Sequence, residues 1–360
     1  MPEDRGVVGF AENLLTLLNE GRYTATYKFA VLLGLMDLCL EHTSAHGSAP
    51  TSVTTVQLAE KIVQLYWKHA QEYDTGQKRF FLVQNSNGQA EIISLIRNFR
   101  SRNGLGPGAL ISEADSRGFQ SLVRRVEWKL VQMPLPRLQV VGTGELPFIY
   151  RIDWDATIKP REFDGPDFSN AIRFIGDAGN HLARLAGLLR PIIQAHWINL
   201  VHQFNRAELP ASRVSEFLFG MDRTATLRLL PGLRELQDNR CFYCDSRIPS
   251  KPEIDHFIPW ARYPDNGIEN LVVAHDRCNG SKKAFLAFSD HVQRWAERME
   301  RIGGDLQEIA GQQSWERHPE LTLGVARGIY LNLPADAKLW KEGRTFTPPQ
   351  RDILLHSLSR

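Results

Sequence analysis

The chain of 360 residues has few cysteines, no very long apolar run and little net charge. Its four cysteines are too few for the disulfide framework of a small secreted protein, so we expect a reduced, cytoplasmic chain. The longest apolar run begins at Phe29, is shorter than a bilayer span and contains Asp37, which favours a buried helix and no membrane insertion. The first residues, MPEDR, lack the basic segment of a signal peptide.

The formal net charge of +2 neither requires nor excludes a nucleic-acid partner, because binding depends on a local basic surface. A hydrophobic share of 42% with 23% charged residues is typical of a globular protein and excludes a disordered chain. The length exceeds what one hydrophobic core usually supports, so the sequence predicts more than one domain.

Apolar residues at helical spacing predict a helical first part of the chain, with Thr54 opening one amphipathic helix. An alternating stretch at 137–154, interrupted by GTGELP, predicts a β-hairpin. Helices followed by a hairpin are typical either of a winged-helix unit or of a helical domain with a small ribbon. Helical spacing resumes at 167–206, where Pro191 would kink the helix or start a second one.

Three of the four cysteines, together with one histidine, form two closely spaced pairs. Cys241 and Cys244 form C-x2-C, and His275 and Cys278 form H-x2-C. Two such pairs supply the four ligands of a tetrahedral structural Zn²⁺ site, with Asp276 as an alternative ligand to the histidine. A redox pair would account for the first two cysteines but not for the downstream pair.

Four further polar residues lie within or directly beside the loop that this zinc would close: Asp255, His256, Asn270 and Asn279. Asp255 and His256 come at the end of a short strand-like segment, EIDHFI. Carboxylate and amide oxygens are suitable ligands for Mg²⁺. An imidazole with a pKa near 6.5 is a suitable base for water at neutral pH.

These motifs together resemble the HNH family of nucleases. The matching elements are DH at 255–256, Asn270 in ENL, CN at 278–279 and Lys282, over about residues 238–290. The chain is similar to the variant in which zinc knuckles surround a ββα-metal core. It departs from the family at His275, where Cys is more frequent, and at Asn279, where the family name has its last His.

The resemblance implies a role for each matching residue. His256 would be the general base, and Asp255 and Asn279 would bind a catalytic Mg²⁺ or Mn²⁺. Asn270 would brace the loop and orient His256. Lys282, or the lysine that follows it, would offset negative charge in the transition state, although lysines at a helix end are also typical of a solvated surface.

The resemblance and the patterns together predict an α+β fold that is mostly α-helical. A helical N-terminal region with a β-hairpin precedes a small zinc-stapled ββα-metal nuclease domain and a helical C-terminal region. The predicted divisions are a recognition domain at 1–165, long linking helices at 166–232, the HNH domain at 233–302 and the C-terminal region at 303–360.

The predicted function is that of a metal-dependent HNH endonuclease acting on nucleic acid, with DNA as the favoured substrate. By analogy with the family, it would be a bacterial restriction or anti-phage effector, with a protein partner or a second copy bound through its helical regions. One alternative is a non-catalytic zinc module that binds nucleic acid or protein. Another is a helical scaffold that regulates a separate enzyme.

Overall fold

The structure is a computed structural model that describes residues 6–106, 108–142, 144–206, 211–221 and 223–359. The first five residues, on which the signal-peptide expectation rests, lie outside the described residues, as does residue 143 of the predicted hairpin loop. Within the described residues, no helix combines the length and the apolar character needed to cross a bilayer.

The described part of the chain is mostly helical with small sheets, which confirms the predicted α+β class. Its α-helices are α1 (Gly6–Glu20), α2 (Tyr27–Glu41), α3 (Thr55–Trp67), α4 (Glu91–Arg102), α5 (Ser116–Gln132), α6 (Pro160–Phe163), α7 (Ala178–Phe204), α8 (Ala211–Phe219), α9 (Arg223–Thr226), α10 (Leu230–Leu236), α11 (Asp276–Lys282), α12 (Ser289–Gln312), α13 (Pro319–Tyr330) and α14 (Arg351–Leu358).

The strands are short and pair in antiparallel fashion. They are β1 (Ser52–Thr54), β2 (Tyr73–Asp74), β3 (Arg79–Phe80), β4 (Val140–Val141), β5 (Gly144–Glu145), β6 (Tyr150–Arg151), β7 (Ala171–Phe174), β8 (Pro252–His256), β9 (Leu271–His275), β10 (Leu339–Glu342) and β11 (Thr345–Thr347). One sheet has the order β1-β7-β6, and the remaining pairs are β2-β3, β4-β5, β8-β9 and β10-β11.

The chain divides into two compact units. Unit 1 contains Met1–Cys39 and Pro50–Gly220, and unit 2 contains Leu40–Ala49 and Met221–Arg360. The predicted domain boundaries stay a prediction. The boundary predicted at 302 lies inside α12, at the non-helical backbone angles of Ile302 (φ −125°, ψ 21°).

Unit 1 is a helical unit with a three-stranded sheet. Thr54 caps α3 as predicted: its hydroxyl accepts from Gln57 N at 3.1 Å, and Gln57 Oε1 accepts from Thr54 N at 2.8 Å. This reciprocal capping box satisfies two amide groups that have no partner within the helix. Pro191 lies inside α7, which forms one continuous element.

A hairpin forms within the predicted segment 137–154, but it is shorter than predicted and does not include the second half of the segment. Val140–Val141 pairs with the nearby Gly144–Glu145, while Tyr150–Arg151 pairs with β7. The side chain of Gln139 provides the reason. Its Oε1 accepts from the amides of residues 148–150 at 3.0, 2.7 and 3.3 Å, and its Nε2 donates to the carbonyl of residue 150 at 2.8 Å. A side chain thus takes the place of the predicted partner strand.

The long helix predicted from 167 begins only at Ala178. Residues 171–174 instead form the central strand β7, in which Ile172 is buried opposite Val53. Apolar residues at short range fit both helical and strand spacing, and the pairing with β1 and β6 decides between them here. Gly176, with a φ of 52°, separates this strand from α7.

Unit 2 contains the segment with the predicted metal ligands. The strands β8 and β9 form an antiparallel pair in which Asp255 is opposite Val272, and α11 follows β9 directly. The stacked rings of Phe257 and Trp295, with centroids 5.0 Å apart, lie in the core where α12 covers the end of β8. The order of two strands and a helix agrees with the predicted ββα core.

Candidate metal centres and active site

The residues predicted to bind zinc form one cluster. The ligand atoms of Cys241, Cys244, His275 and Cys278 all lie within 4.8 Å of one another, and the cluster does not include Asp276. His275 Nδ1 lies 3.3 Å from the sulfur of Cys244 and 3.8 Å from that of Cys278. Zinc bonds of about 2.0 Å to nitrogen and 2.3 Å to sulfur place such ligand atoms about 3.5 Å apart in a tetrahedron. The cluster therefore fits a zinc ion.

The local backbone explains how the four ligands meet. The knuckle after Cys241 turns sharply, with Asp245 at a φ of 56° and its amide donating to Cys241 O at 2.9 Å. His275 ends β9, and Cys278 follows in the first turn of α11. His275 Nε2 donates to Arg247 O at 3.0 Å, so the tautomer leaves Nδ1 unprotonated and facing the cluster.

Asp255 is held by only one of its two oxygens. Its Oδ2 accepts from the hydroxyl of Tyr243 at 2.5 Å and from Lys282 Nζ at 3.0 Å. Among the described residues, its Oδ1 has no hydrogen-bond partner. The carboxylate is buried, so its orientation is set by these contacts, and one oxygen is left to bind a cation.

Asn279 is held in a similar way. Its Nδ2 donates to Glu253 Oε2 at 2.7 Å, and within the described chain its Oδ1 has no partner. Glu253 lies two residues before Asp255 on β8, so the two side chains share a face of the strand. Lys282 lies one turn after Asn279 on α11. The contacts of Asn279 with Glu253 and of Lys282 with Asp255 thus join β8 to α11. They place the predicted cation ligands Asp255 and Asn279 on the same side of β8.

The ring of His256 is oriented by the loop after β8. Its Nε2 lies 2.9 Å from Asn266 Oδ1. Since an amide oxygen only accepts, Nε2 carries the proton and Nδ1 keeps its lone pair. Burial lowers the pKa of His256, so the ring is neutral at pH 7. The ring of Trp260 meets it edge to face, with centroids 5.4 Å apart.

Asn270 is fully buried and connects this loop to the end of β8. Its Oδ1 accepts from Ile258 N at 2.7 Å, and its Nδ2 donates to Ile258 O and Asp265 O at 3.2 and 3.0 Å. Its backbone carbonyl also accepts from Phe257 N at 2.7 Å. Asn270 therefore fixes the backbone that directly follows His256, without contacting the ring.

Lys282 is also fully buried. Besides Asp255, its Nζ contacts the carbonyl of His256 at 2.9 Å. The next lysine, Lys283, is exposed at a φ of 51°. The ammonium of Lys282 thus contacts the two residues of the DH motif rather than the solvent.

The structure adds three residues that the sequence analysis missed: Tyr243, Glu253 and Asn266. The alternation in EIDH indicates that Glu253 shares a face with Asp255, and the position of Tyr243 inside C-x2-C indicates that it lies at the knuckle. The contact of Asn266 has no signal in the sequence. It depends on a loop position fixed by Trp315, whose Nε1 donates to Asn266 O at 2.6 Å.

Comparison with known families finds a resemblance over the same segment of the chain. The model of the family described as HNH endonuclease matches residues 241–288, which confirms the limited resemblance found in the sequence. The family described as Domain of unknown function (DUF8808) matches residues 8–218. This is more than half of the 360 residues, and the chain belongs to that family. No curated protein and no solved structure matches the chain.

Proposed function

We propose that the chain is a divalent-cation-dependent HNH endonuclease that hydrolyses the phosphodiester bonds of DNA. One observation carries the proposal. In the segment matched by the HNH family, hydrogen bonds hold one polar atom each of Asp255, Asn279 and His256. The remaining polar atoms are Asp255 Oδ1 and Asn279 Oδ1, which can bind a cation, and His256 Nδ1, which can accept a proton.

Two metals are part of the proposal. Zinc at the cluster of three cysteines and His275 is structural, and its binding contributes on the order of 10 kcal/mol to folding of the knuckle. The oxygens of Asp255 and Asn279 would hold Mg²⁺ or Mn²⁺, since both are the hard ligands that these cations prefer. When bound, this cation supplies positive charge beside the scissile phosphate and the leaving 3′ oxygen.

The protein residues then act on the proton and the geometry. His256 Nδ1 takes a proton from the attacking water while the water oxygen forms a bond to phosphorus. The bond from phosphorus to the 3′ oxygen breaks, and the leaving oxygen takes a proton from solvent. Asn270 keeps the end of β8 in place, and Lys282 offsets negative charge through its contact with Asp255.

The proposal also includes a biological setting. An HNH endonuclease domain implies a nucleic-acid substrate. We assign recognition of that substrate or of a protein partner to the region matched by DUF8808, and we include self-association through the helices. A role in bacterial restriction or anti-phage defence, in the cytoplasm, follows the analogy with the family. Reduced thiols, which the zinc cluster requires, support that location.

Nicking of a supercoiled plasmid in Mg²⁺ or Mn²⁺ tests the proposal. The parent protein is compared with His256→Ala and with the matched control His356→Ala, which replaces an exposed histidine on α14. We expect nicking by the parent and the control and a loss of at least about 100-fold in His256→Ala, as for other general bases. Single-stranded DNA and RNA substrates in parallel reactions decide the substrate class.

Equal nicking by the parent and His256→Ala contradicts the assignment of the base. Cleavage of RNA alone contradicts the choice of DNA but keeps the nuclease. If the zinc-loaded parent cuts no nucleic acid, the proposal is wrong. Binding without cutting would then identify a non-catalytic zinc module.

A further inference from the structure

Tyr243 lies between two zinc ligands, Cys241 and Cys244, and its position is closely fixed. Its side chain is buried. The ring meets Trp340 edge to face, with centroids 5.2 Å apart at 90°, and packs against His291 at 5.3 Å. The predicted zinc ligands on either side restrain the backbone of Tyr243, and the rings of Trp340 and His291 restrain its phenol ring.

The hydroxyl of Tyr243 reaches the predicted cation ligand Asp255. It donates to Oδ2 at 2.5 Å, and Lys282 Nζ contacts the same oxygen at 3.0 Å. A carboxylate oxygen only accepts, so the phenol is the donor in this contact. Lys282 lies four residues after the zinc ligand Cys278. Both donors therefore come from segments that the zinc cluster fixes.

We infer that Tyr243 and Lys282 form a clamp on Asp255 Oδ2 through which the zinc cluster sets the geometry of the second cation site. The clamp is a positioning device, since neither donor binds the cation. It fixes the carboxylate so that Oδ1 faces the cation. The inference rests on the proposed function for the assignment of Asp255 as a cation ligand.

The clamp has a consequence that a purely structural tyrosine lacks. Tyr243→Phe keeps the ring and its aromatic contacts but removes one of the two donors to Asp255. The carboxylate then rotates more freely, and part of the affinity for the cation is lost. Loss of a group that orients a metal ligand typically weakens metal binding about 10- to 100-fold.

Binding of Mn²⁺ to the zinc-loaded full chain, followed by electron paramagnetic resonance without DNA, measures this effect. The matched control is Tyr263→Phe, which also removes a buried hydroxyl that donates to a carboxylate in unit 2, that of Glu41. We expect Tyr243→Phe to keep its zinc and bind Mn²⁺ at least about 10-fold more weakly. Tyr263→Phe should bind Mn²⁺ like the parent.

Unchanged Mn²⁺ affinity in zinc-loaded Tyr243→Phe overturns the inference, and so does an equal loss in Tyr263→Phe. If Tyr243→Phe does not retain zinc, Lys282→Met is measured instead, because it removes the other donor without touching the knuckle. Wild-type affinity in zinc-loaded Lys282→Met then overturns the clamp, and weaker binding supports it.

The two proposals fail in different ways. A parent protein that binds Mn²⁺ but cuts no nucleic acid contradicts the nuclease, while weaker binding by Tyr243→Phe still supports the clamp. A parent that cuts and a Tyr243→Phe variant that binds Mn²⁺ normally contradict only the clamp. A parent that binds no Mn²⁺ contradicts both the clamp and the cation dependence of the nuclease.

Discussion

Asn279 donates its side-chain N–H to Glu253 Oε2 across 2.7 Å, which joins α11 to β8 beside Asp255. A carboxylate accepts hydrogen bonds and cannot donate them, so the contact forms with only one orientation of the amide. Glu253 therefore determines which way the amide oxygen of Asn279 faces. That oxygen is one of the two proposed protein ligands of the catalytic cation.

Removing this acceptor should weaken the cation site. We expect Glu253→Ala to lower Mn²⁺ affinity and the cleavage rate at limiting Mn²⁺ by about 10-fold, because the amide of Asn279 can then rotate. Glu253→Gln should recover most of both, since its amide oxygen still accepts from Asn279. Glu308→Ala is the control, because Glu308 also accepts from an amide, that of Gln312, on the exposed side of α12. Equal losses in the Ala and Gln variants would indicate that the charge of Glu253 matters instead.

The contact between Asn266 and His256 leads to a second prediction. Asn266→Ala removes the acceptor for the Nε2 proton, so the ring is no longer held with Nδ1 toward the water. We expect the maximal cleavage rate to fall about 10-fold, a part of what a general base contributes. Mn²⁺ affinity and DNA binding should stay as in the parent. Asn266→Asp, which restores an acceptor, should recover part of the rate.

The control for this variant is Asn332→Ala, which removes an asparagine that donates to Gly47 O and Gly328 O in unit 2. Its cleavage rate should equal that of the parent. A rate loss in Asn266→Ala that comes with an equal loss of Mn²⁺ affinity would contradict a role through His256. It would indicate that the loop as a whole has moved.

How much of this site was predictable depends on the type of residue. The cluster of possible metal ligands follows from spacing, because Cys241 with Cys244 and His275 with Cys278 have the separations that tight metal turns require. The residues that orient the proposed cation ligands and base do not follow from spacing. Tyr243 reaches Asp255 only because the folded knuckle packs beside β8, and such contacts depend on tertiary structure rather than on local sequence.

The fold shows the same division. The helix after Thr54 was predictable, since capping is a local interaction between residues three apart. The pairing of Tyr150–Arg151 was not, because the side chain of Gln139 binds the backbone that a partner strand would otherwise bind. The strand β7 was missed for a related reason, as its partner β1 comes from a distant part of the chain and its partner β6 is separated from it by α6.

A buried histidine in unit 1 makes stability depend on pH. His69 is almost fully buried, its Nε2 contacts Leu218 O at 3.0 Å, and its Nδ1 has no partner among the described residues. Burial lowers the pKa of His69 to about 3. In the unfolded chain its pKa is near 6.5, so acidification protonates the unfolded state first. The stability contribution is therefore complete above about pH 6.5 and declines as the pH falls toward 3.

Equilibrium unfolding in urea at about pH 7.5 and pH 5.0 checks this sign. Between those values, His69 should account for a loss of about 2 kcal/mol in the free energy of unfolding. His69→Gln has no proton to gain and should lose that much less than the parent on acidification. The comparison of the two proteins removes the effects of acid on the zinc cluster, which they share. Equal losses in both would show that His69 is not buried in its neutral form.

Removal of zinc should abolish both Mn²⁺ binding and cleavage by the HNH segment. Zinc bound at the cluster would fix the knuckle with Tyr243 and the helix α11 with Asn279 and Lys282, so its loss would free both sides of the proposed cation site. After treatment with a chelator and dialysis, we expect Mn²⁺ binding and cleavage to fall below detection. Returning zinc should restore both. Cys244→Ser, which replaces an exposed ligand, should show the same losses without a chelator.

Hydrogen exchange separates this local effect from general unfolding. Without zinc, the amides of β8, β9 and α11 should exchange faster, because binding of the metal supplies much of the free energy that folds so small a segment. The amides of α3 and α5 in unit 1 should keep their protection, since unit 1 contains its own buried core. Full cleavage activity in protein shown to be free of zinc would contradict the dependence of the cation site on the cluster.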